Sequence, residues 1–234
     1  SGRYEFKNKG IDVFIDAMGQ LNRNNGLGKE VLAFILVPAG HAGANKELLH
    51  NLELPYQAVT STDLYLTHYL NDSANDPVMN RIRAQKLRNS EEDKVKIFFV
   101  PSYLNGDDGV FNMPYYDLLV GMDLTAFPSY YEPWGYTPLE SLAFKVPTIT
   151  TTLAGFGLWV KEHYNMNHPG IEVIHREDGD ASNVATAIAE WVKNYTQVGE
   201  TEMQKDRDNA KDVSRIALWD NLINYYKQAY TIAL

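Results

Sequence analysis

The chain has 234 residues, 44% of them hydrophobic and 22% charged, with a net charge of -9 and no cysteine. That composition suits a soluble globular protein with chain enough for one large or two small domains. The acidic balance, with no clustered basic face, argues against nucleic-acid binding. No apolar run reaches the ~18 residues that cross a bilayer. The lack of cysteine excludes disulfides and thiol chemistry and fits a cytoplasmic setting.

Ser1-Gly2-Arg3 reads as a turn leaving a strand, so the sequence is expected to continue a larger protein. Ile11, Phe14, Ile15, Met18 and Leu21 recur at helical spacing and predict a helix from about Lys9 to Asn24, closed by Asn24-Asn25-Gly26. Glu30 to Val37 is a continuous apolar run stopped by Pro38, the pattern of a strand covered on both faces. Between Ala39 and Asn75 the sequence is polar, with helices expected at Lys46–Leu54 and Asp63–Leu70. Asp76-Pro77 opens a helix through Leu87, and Lys94–Val100 is the next strand. A glycine-rich loop at Asn105–Gly109 and a short helix at Pro114–Val120 lead into a strand at Asp123–Phe127.

Strands follow at Val146–Thr151 and Ile171–His175, and helices at Gly155 onward, Ala181–Tyr195, about Glu200–Leu218 and Trp219–Ala233. Strands alternating with helices predict one α/β domain: a Rossmann-like, doubly wound parallel sheet with closing C-terminal helices. Its ligand is expected at the carboxyl ends of the strands.

The densest chemistry lies in Phe127-Pro-Ser-Tyr-Tyr-Glu132-Pro-Trp-Gly-Tyr-Thr-Pro-Leu-Glu140. A strand runs into a loop and then a helix whose start is predicted at Thr137-Pro138, with Glu140 completing a capping box. Such a helix start presents free N–H groups and a positive dipole end to phosphate. The capping role accounts for Glu140 and leaves room for a ribose contact. Glu132 has no such explanation and is the functional candidate. Tyr130, Tyr131, Trp134 and Tyr136 are too dense in a loop for ordinary core and suit a sugar or base. Arg3, Lys7 and Lys9 sit in a glycine-flanked loop, which reads either as a solvated turn or as a diphosphate clamp. The six histidines have no metal-ligand spacing, the Asp107-Asp108 and Asp178-Gly179-Asp180 groups lack a calcium-loop pattern, and no metal or cofactor site is expected.

Taken together, Gly2–Gly10, Asp76-Pro77 with Ile82-Arg83, Asp93–Lys96, Tyr130–Pro138 and Thr151–Gly157 resemble the eukaryotic-like glycogen synthases. These are retaining glucosyltransferases of two-domain GT-B fold. The resemblance implies that residues 1–234 form a single nucleotide-sugar domain, the carboxy-terminal half of that fold. The helices at about 200–234 would pack back toward an amino-terminal domain that holds the glucan acceptor. It implies UDP-glucose or ADP-glucose as donor, with Arg3 and Lys9 on the diphosphate, Glu132 beside the transferred glucose and Glu140 on the ribose. The backbone of Trp134, Gly135, Tyr136 and Thr137 would cradle sugar and phosphates, and Tyr115 or Tyr116 would stack on the base. No metal is implied, and an oligomer is compatible with the reading. The chain departs from the family at Lys205–Asp212. There three cations stand among acids in place of an arginine-rich helix, so activation by a sugar phosphate is not expected. The alternatives are another retaining enzyme of the sucrose or trehalose-phosphate synthase kind, or a non-catalytic nucleotide-sugar or glucan-binding module.

Overall fold

A computed structural model describes residues 1–24, 26–54, 65–164 and 170–234. In chain order the first half holds α1 (Ile11–Asn22), β1 (Val31–Leu36), β2 (His41–Ala44), α2 (Lys46–Glu53), β3 (His68–Leu70), α3 (Pro77–Ala84) and β4 (Val95–Val100). The second half holds α4 (Tyr115–Val120), β5 (Thr125–Ala126), α5 (Tyr136–Ala143), β6 (Thr148–Thr151), α6 (Gly155–His163), β7 (Ile171–Ile174), α7 (Ala181–Tyr195), α8 (Glu200–Arg215) and α9 (Trp219–Ala233).

The strands form two parallel sheets and one antiparallel pair. β1 lies beside β4 with Val31 opposite Val95 and Leu36 opposite Val100. On the far side of β4, Phe99 donates its N–H to Tyr65 (2.6 Å) and accepts from Thr67 (3.1 Å). The other parallel sheet runs in the order β5, β6, β7. Apart from Lys96 and Glu172, these strands are apolar or β-branched: Val95, Ile97 and Phe99 are buried, as are all four residues of Thr148–Thr151. Parallel sheets between helices favour this, since most of both faces is covered. One core joins α1, α3 and α7 to β1 and β4 through residues such as Ile15, Leu21, Ile82, Ile97 and Ile188. A smaller core packs α8 on α5, α6 and β7 through Ala210, Val213, Leu142, Phe156 and Val173. Helix α9 buries none of its residues, and Trp219, Tyr226 and Tyr230 are exposed.

Two local readings change. The helix expected at Asp63–Leu70 is not formed over Tyr65–Leu70: Leu66 bridges Phe99, and His68–Leu70 is a strand antiparallel to His41–Ala44. Residues 63 and 64, like Asn25, lie outside the described residues. The apolar positions of this segment fit either period, and pairing with β4 decides between them. The second change concerns α5. The helix starts two residues earlier than the capping box predicts, at Tyr136, with Gly135 as its N-cap at φ +103° and no side-chain cap. Glu140 therefore lies inside the helix, and the capping role does not explain it. Elsewhere the caps are as read: Asp76 accepts the N–H of Met79 at 3.0 Å at the start of α3. α3 ends at Ala84, three residues short of the expected Leu87, where Lys86 turns to φ 58°.

The start of α1 is pinned by a close backbone approach. Gly10 has φ +65°, and a Cβ there would lie 1.7 Å from the carbonyl oxygen of Pro128, with nothing flexible to give way. Gly10→Ala should therefore cost at least about 3 kcal/mol in urea unfolding, combining a left-handed penalty with overpacking. Gly179, at φ +85° with nothing within 4 Å, isolates the first component. Gly179→Ala should cost only about 1 kcal/mol. Equal losses would show that the contact with Pro128 is not what demands glycine.

Candidate functional site

Parallel strands bring their carboxyl ends to one side of a sheet, and the loops there meet around a cleft of about 390 Å³. Pro38 follows β1, Tyr103 follows β4 and Glu132 follows β5. Arg3 and Lys9 come from the amino-terminal loop, and Tyr136 and Thr137 from the first turn of α5. The predicted clamp and the predicted acid are thus in one place.

They are also in contact. The Lys9 ammonium donates to Glu132 Oε2, with both side chains largely withdrawn from solvent (16% and 21% exposed). Backbone bonds hold the two loops to that distance. Tyr130 donates its N–H to the Asn8 carbonyl at 2.7 Å. On its other side, Glu132 donates to Leu153 (3.2 Å) and accepts from Gly155 (3.0 Å), so its backbone is strapped to the loop between β6 and α6. Arg3 is different: its side chain is 81% exposed and reaches only Glu5, at 3.4 Å. Lys7 turns away to Asp12 at 2.7 Å, taking it out of the clamp.

The start of α5 completes the polar wall. N–H groups in the first turn, here those of Tyr136 and Thr137, have no acceptor within their helix. Gly135 permits the sharp entry that aims them, because its left-handed backbone is one that L side chains rarely adopt. Trp134 contributes differently from expectation. Its ring packs on Phe156 (5.7 Å) and Trp159 (6.0 Å), and its carbonyl accepts the Phe156 N–H at 2.7 Å. Its side chain forms a wall behind the loop.

Tyr115, Tyr116 and Glu140 form an adjoining cluster. The Glu140 carboxylate raises the Tyr116 phenol above its ordinary range, while burial is the main cause raising Tyr115. Tyr116 stacks on Phe144 (4.9 Å, 15°) and is tilted against Tyr115 (5.2 Å). The Tyr115 hydroxyl lies 2.7 Å from the Ser1 hydroxyl. Thr137 lines the Lys9–Glu132 cleft and also the cavity that Tyr115 lines.

Sequence reasoning passed over Arg176. It is 5% exposed, donates to the Pro128 carbonyl at 2.5 Å, and lies 5.3 Å from the Tyr130 ring, whose hydroxyl donates to Asp178. Burial lowers its pKa, and Asp12 and Asp180 oppose that shift. It props the loop carrying Glu132 from beneath. Pro38 and Tyr103 were also passed over, although each follows a predicted strand on the ligand side. Among the described residues no group of three or more His, Asp or Glu is placed to hold a metal. His163 stacks on Trp159 at 3.6 Å, and His168 lies outside the described residues. No helix among them is long and apolar enough to cross a membrane.

The family model described as glycogen synthase matches residues 57–234. The glycogen [starch] synthase isoform 2 of Saccharomyces cerevisiae is 28% identical over the whole of this chain, which covers 42% of that protein. The Neurospora crassa and Caenorhabditis elegans glycogen [starch] synthases are each 29% identical, with 41% and 43% of their lengths covered. The chain thus spans less than half the length of these curated relatives. Among solved structures, Anabaena Alr3699/HepE in complex with UDP-glucose is similar at a TM-score of 0.43 and 16% identity. That match covers 95% of this chain and 55% of the other.

The support of the Glu132 loop by Arg176 has a measurable consequence. Arg176→Met should lower the unfolding free energy by about 1–3 kcal/mol, because the buried Pro128 carbonyl loses its donor. Urea unfolding reads this directly, and an unchanged midpoint would show that the loop stands without it.

Proposed function

The chain belongs to the glycogen synthase family, and from that membership we propose that it is the donor-binding half of a retaining glucosyltransferase that extends an α-1,4-glucan. The observation that carries the reading is the convergence of Lys9, Arg3, Glu132 and the first turn of α5 on one cleft. Two cations and a helix start suit a diphosphate, and a carboxylate a few ångströms away suits a sugar attached to it.

In this reading UDP-glucose or ADP-glucose lies with its diphosphate against Arg3, Lys9 and the N–H groups of Tyr136 and Thr137. The ribose reaches Glu140 and the base reaches Tyr115 or Tyr116. Without ligand, Lys9 is paired with Glu132; a bound diphosphate competes for the same ammonium. Lys9 then neutralises the leaving phosphate as the glucosyl C1–O bond breaks, an electrostatic effect strengthened in a closed cleft. Glu132 orients the glucose and stabilises the positive charge developing on it. The acceptor hydroxyl enters on the face the diphosphate leaves and gives its proton to the departing phosphate oxygen as the new C1–O bond forms, so configuration is retained. No metal is needed for this division of work.

The acceptor and the second wall of the cleft belong to a further domain of the whole enzyme. Helix α9, with no buried residue, is offered toward it. The chain by itself is expected to bind donor without elongating glucan. We place the enzyme in the cytoplasm, consistent with a cysteine-free chain, and an oligomer is compatible with this reading. Activation by a sugar phosphate is not part of it. Arg207, one of three cations in the Lys205–Asp212 stretch, is already held by the Met122 carbonyl (2.9 Å) and Asp123 (3.2 Å).

Two measurements test this reading. In the full-length enzyme Glu132→Gln should abolish nearly all glucan extension while donor affinity is kept, whereas unchanged turnover would remove Glu132 from catalysis. Arg3→Ala should weaken UDP binding by about 1.5–3 kcal/mol in titration calorimetry, the scale of a lost charged hydrogen bond. No heat with the unaltered chain at millimolar UDP and ADP would overturn the donor site.

A further inference from the structure

Between β4 and α4 the chain makes a hairpin from Tyr103 to Tyr115. It closes where Asn105 bridges Pro114 and where Tyr115 donates its N–H to the Leu104 carbonyl at 2.9 Å. Tyr103 lines the Lys9–Glu132 cleft, and Tyr115 is one of the two aromatics assigned to the base in the proposed donor site. The hairpin is exposed at Asn105, Asp107, Gly109 and Asn112. A loop of this kind has little core of its own, so what fixes it must lie beneath it.

Asp108 turns inward from the hairpin, and its carboxylate is wholly out of water. Its Oδ1 accepts the N–H groups of Val110 (3.0 Å) and Phe111 (2.9 Å) and its Oδ2 that of Asn112 (2.8 Å), so the turn is wrapped around it. The Asp108 carbonyl in turn lies 2.7 Å from Nε2 of His68, a fully buried residue at the start of β3. A carbonyl oxygen only accepts, so Nε2 carries the proton. Nδ1 lies 2.9 Å from the Thr67 hydroxyl, which is also 3.3 Å from the Phe99 carbonyl. With a neutral ring that hydroxyl donates to Nδ1; with a charged ring Nδ1 donates to it and the hydroxyl turns to Phe99. The bond to Asp108 is the same in both states. His41 lies edge-on to the ring at 4.7 Å, and burial, then His68, keep its pKa below the ordinary histidine range, so it adds no charge at neutral pH. Thr67 donates its N–H to the Phe99 carbonyl at 3.1 Å, which ties this segment to β4. A continuous line of bonds thus runs from β4 through His68 and Asp108 to the hairpin.

We propose that His68 is a positioning residue for the nucleoside end of the donor site: through Asp108 it holds the hairpin that sets Tyr103 and Tyr115. The inference rests on the donor-site reading and adds the group that keeps its base-facing aromatics in place. His68 lines neither the Lys9–Glu132 cleft nor the cavity beside Tyr115, so its effect reaches a ligand only through the hairpin. The phosphate end hangs on different supports, the Tyr130 to Asn8 bond and the strap between Glu132 and Gly155. Loss of the His68 donor therefore loosens the nucleoside end, where preorganised side chains lower the cost of binding, and leaves the diphosphate end as it was.

Titration calorimetry on the full-length enzyme tests it, with the tighter-bound of UDP and ADP as one probe and inorganic pyrophosphate as the other. The amide of glutamine reaches the position of Nε2, whereas that of asparagine reaches only Nδ1, so His68→Gln keeps a donor to Asp108 and His68→Asn removes it. His68→Asn should weaken nucleotide binding about 3–30-fold and leave pyrophosphate binding within about twofold, and His68→Gln should recover most of the loss. Asp108→Ala, made on the exposed hairpin, should give the same selective loss, and it decides the matter if the buried substitutions do not fold. Unchanged nucleotide affinity in His68→Asn and Asp108→Ala, a matching loss for pyrophosphate, or no recovery in His68→Gln would overturn the proposal while the donor site stands. No nucleotide binding by the unaltered enzyme would overturn the donor site itself, and this inference with it.

Discussion

The ion pair between Lys9 and Glu132 is the constraint around which this molecule is arranged. The two residues are 123 positions apart, one on the amino-terminal loop before α1 and the other on the loop after β5, and both side chains are mostly out of water. A pair in that setting contributes little if the geometry drifts, because desolvation opposes the Coulomb attraction. The structure therefore spends several other features on holding the distance. The left-handed turn at Gly10 lets the backbone come against Pro128, and the Tyr130 N–H to Asn8 bond locks one loop to the other. The buried Arg176 then fixes Pro128 from below.

Seen this way the fold and the site are one construction. Parallel strands put every loop of interest at one edge, short turns keep those loops close to the sheet, and α5 begins at the same place with its orphan N–H groups facing the cleft. The same cation that neutralises Glu132 in the unliganded molecule is the one a diphosphate would take. On the proposed reading, a donor that took this ammonium would release the Glu132 carboxylate.

Much of this was legible in the residues. A continuous apolar run stopped by proline identified β1, the spacing of Ile11, Phe14, Ile15, Met18 and Leu21 identified α1, and Asp76-Pro77 identified the start of α3. The Tyr-Tyr-Glu-Pro-Trp-Gly-Tyr-Thr-Pro string identified the loop and its acid. What failed did so for physical reasons. Thr137 and Glu140 satisfy a capping box on paper, yet Gly135 reaches a backbone conformation that starts the helix two residues sooner. Tyr65–Leu70 carries apolar residues at spacings that suit helix and strand alike, and the partner strand settles it. The packing of the Trp134 ring on Phe156 and Trp159 was not legible, because aromatic density does not say which way a ring points. Arg176 left no trace because an arginine after a strand is unremarkable until the carbonyl it meets is known.

The central claim is that Lys9 and Glu132 act as one unit that joins the two loops. A double-mutant cycle tests it most directly, with Lys9→Met, Glu132→Gln and the double variant compared in unfolding free energy. The two single losses should fail to add, with a coupling of about 0.5–3 kcal/mol. Losses that add to within about 0.3 kcal/mol would mean that the two side chains stand near each other without holding the site together.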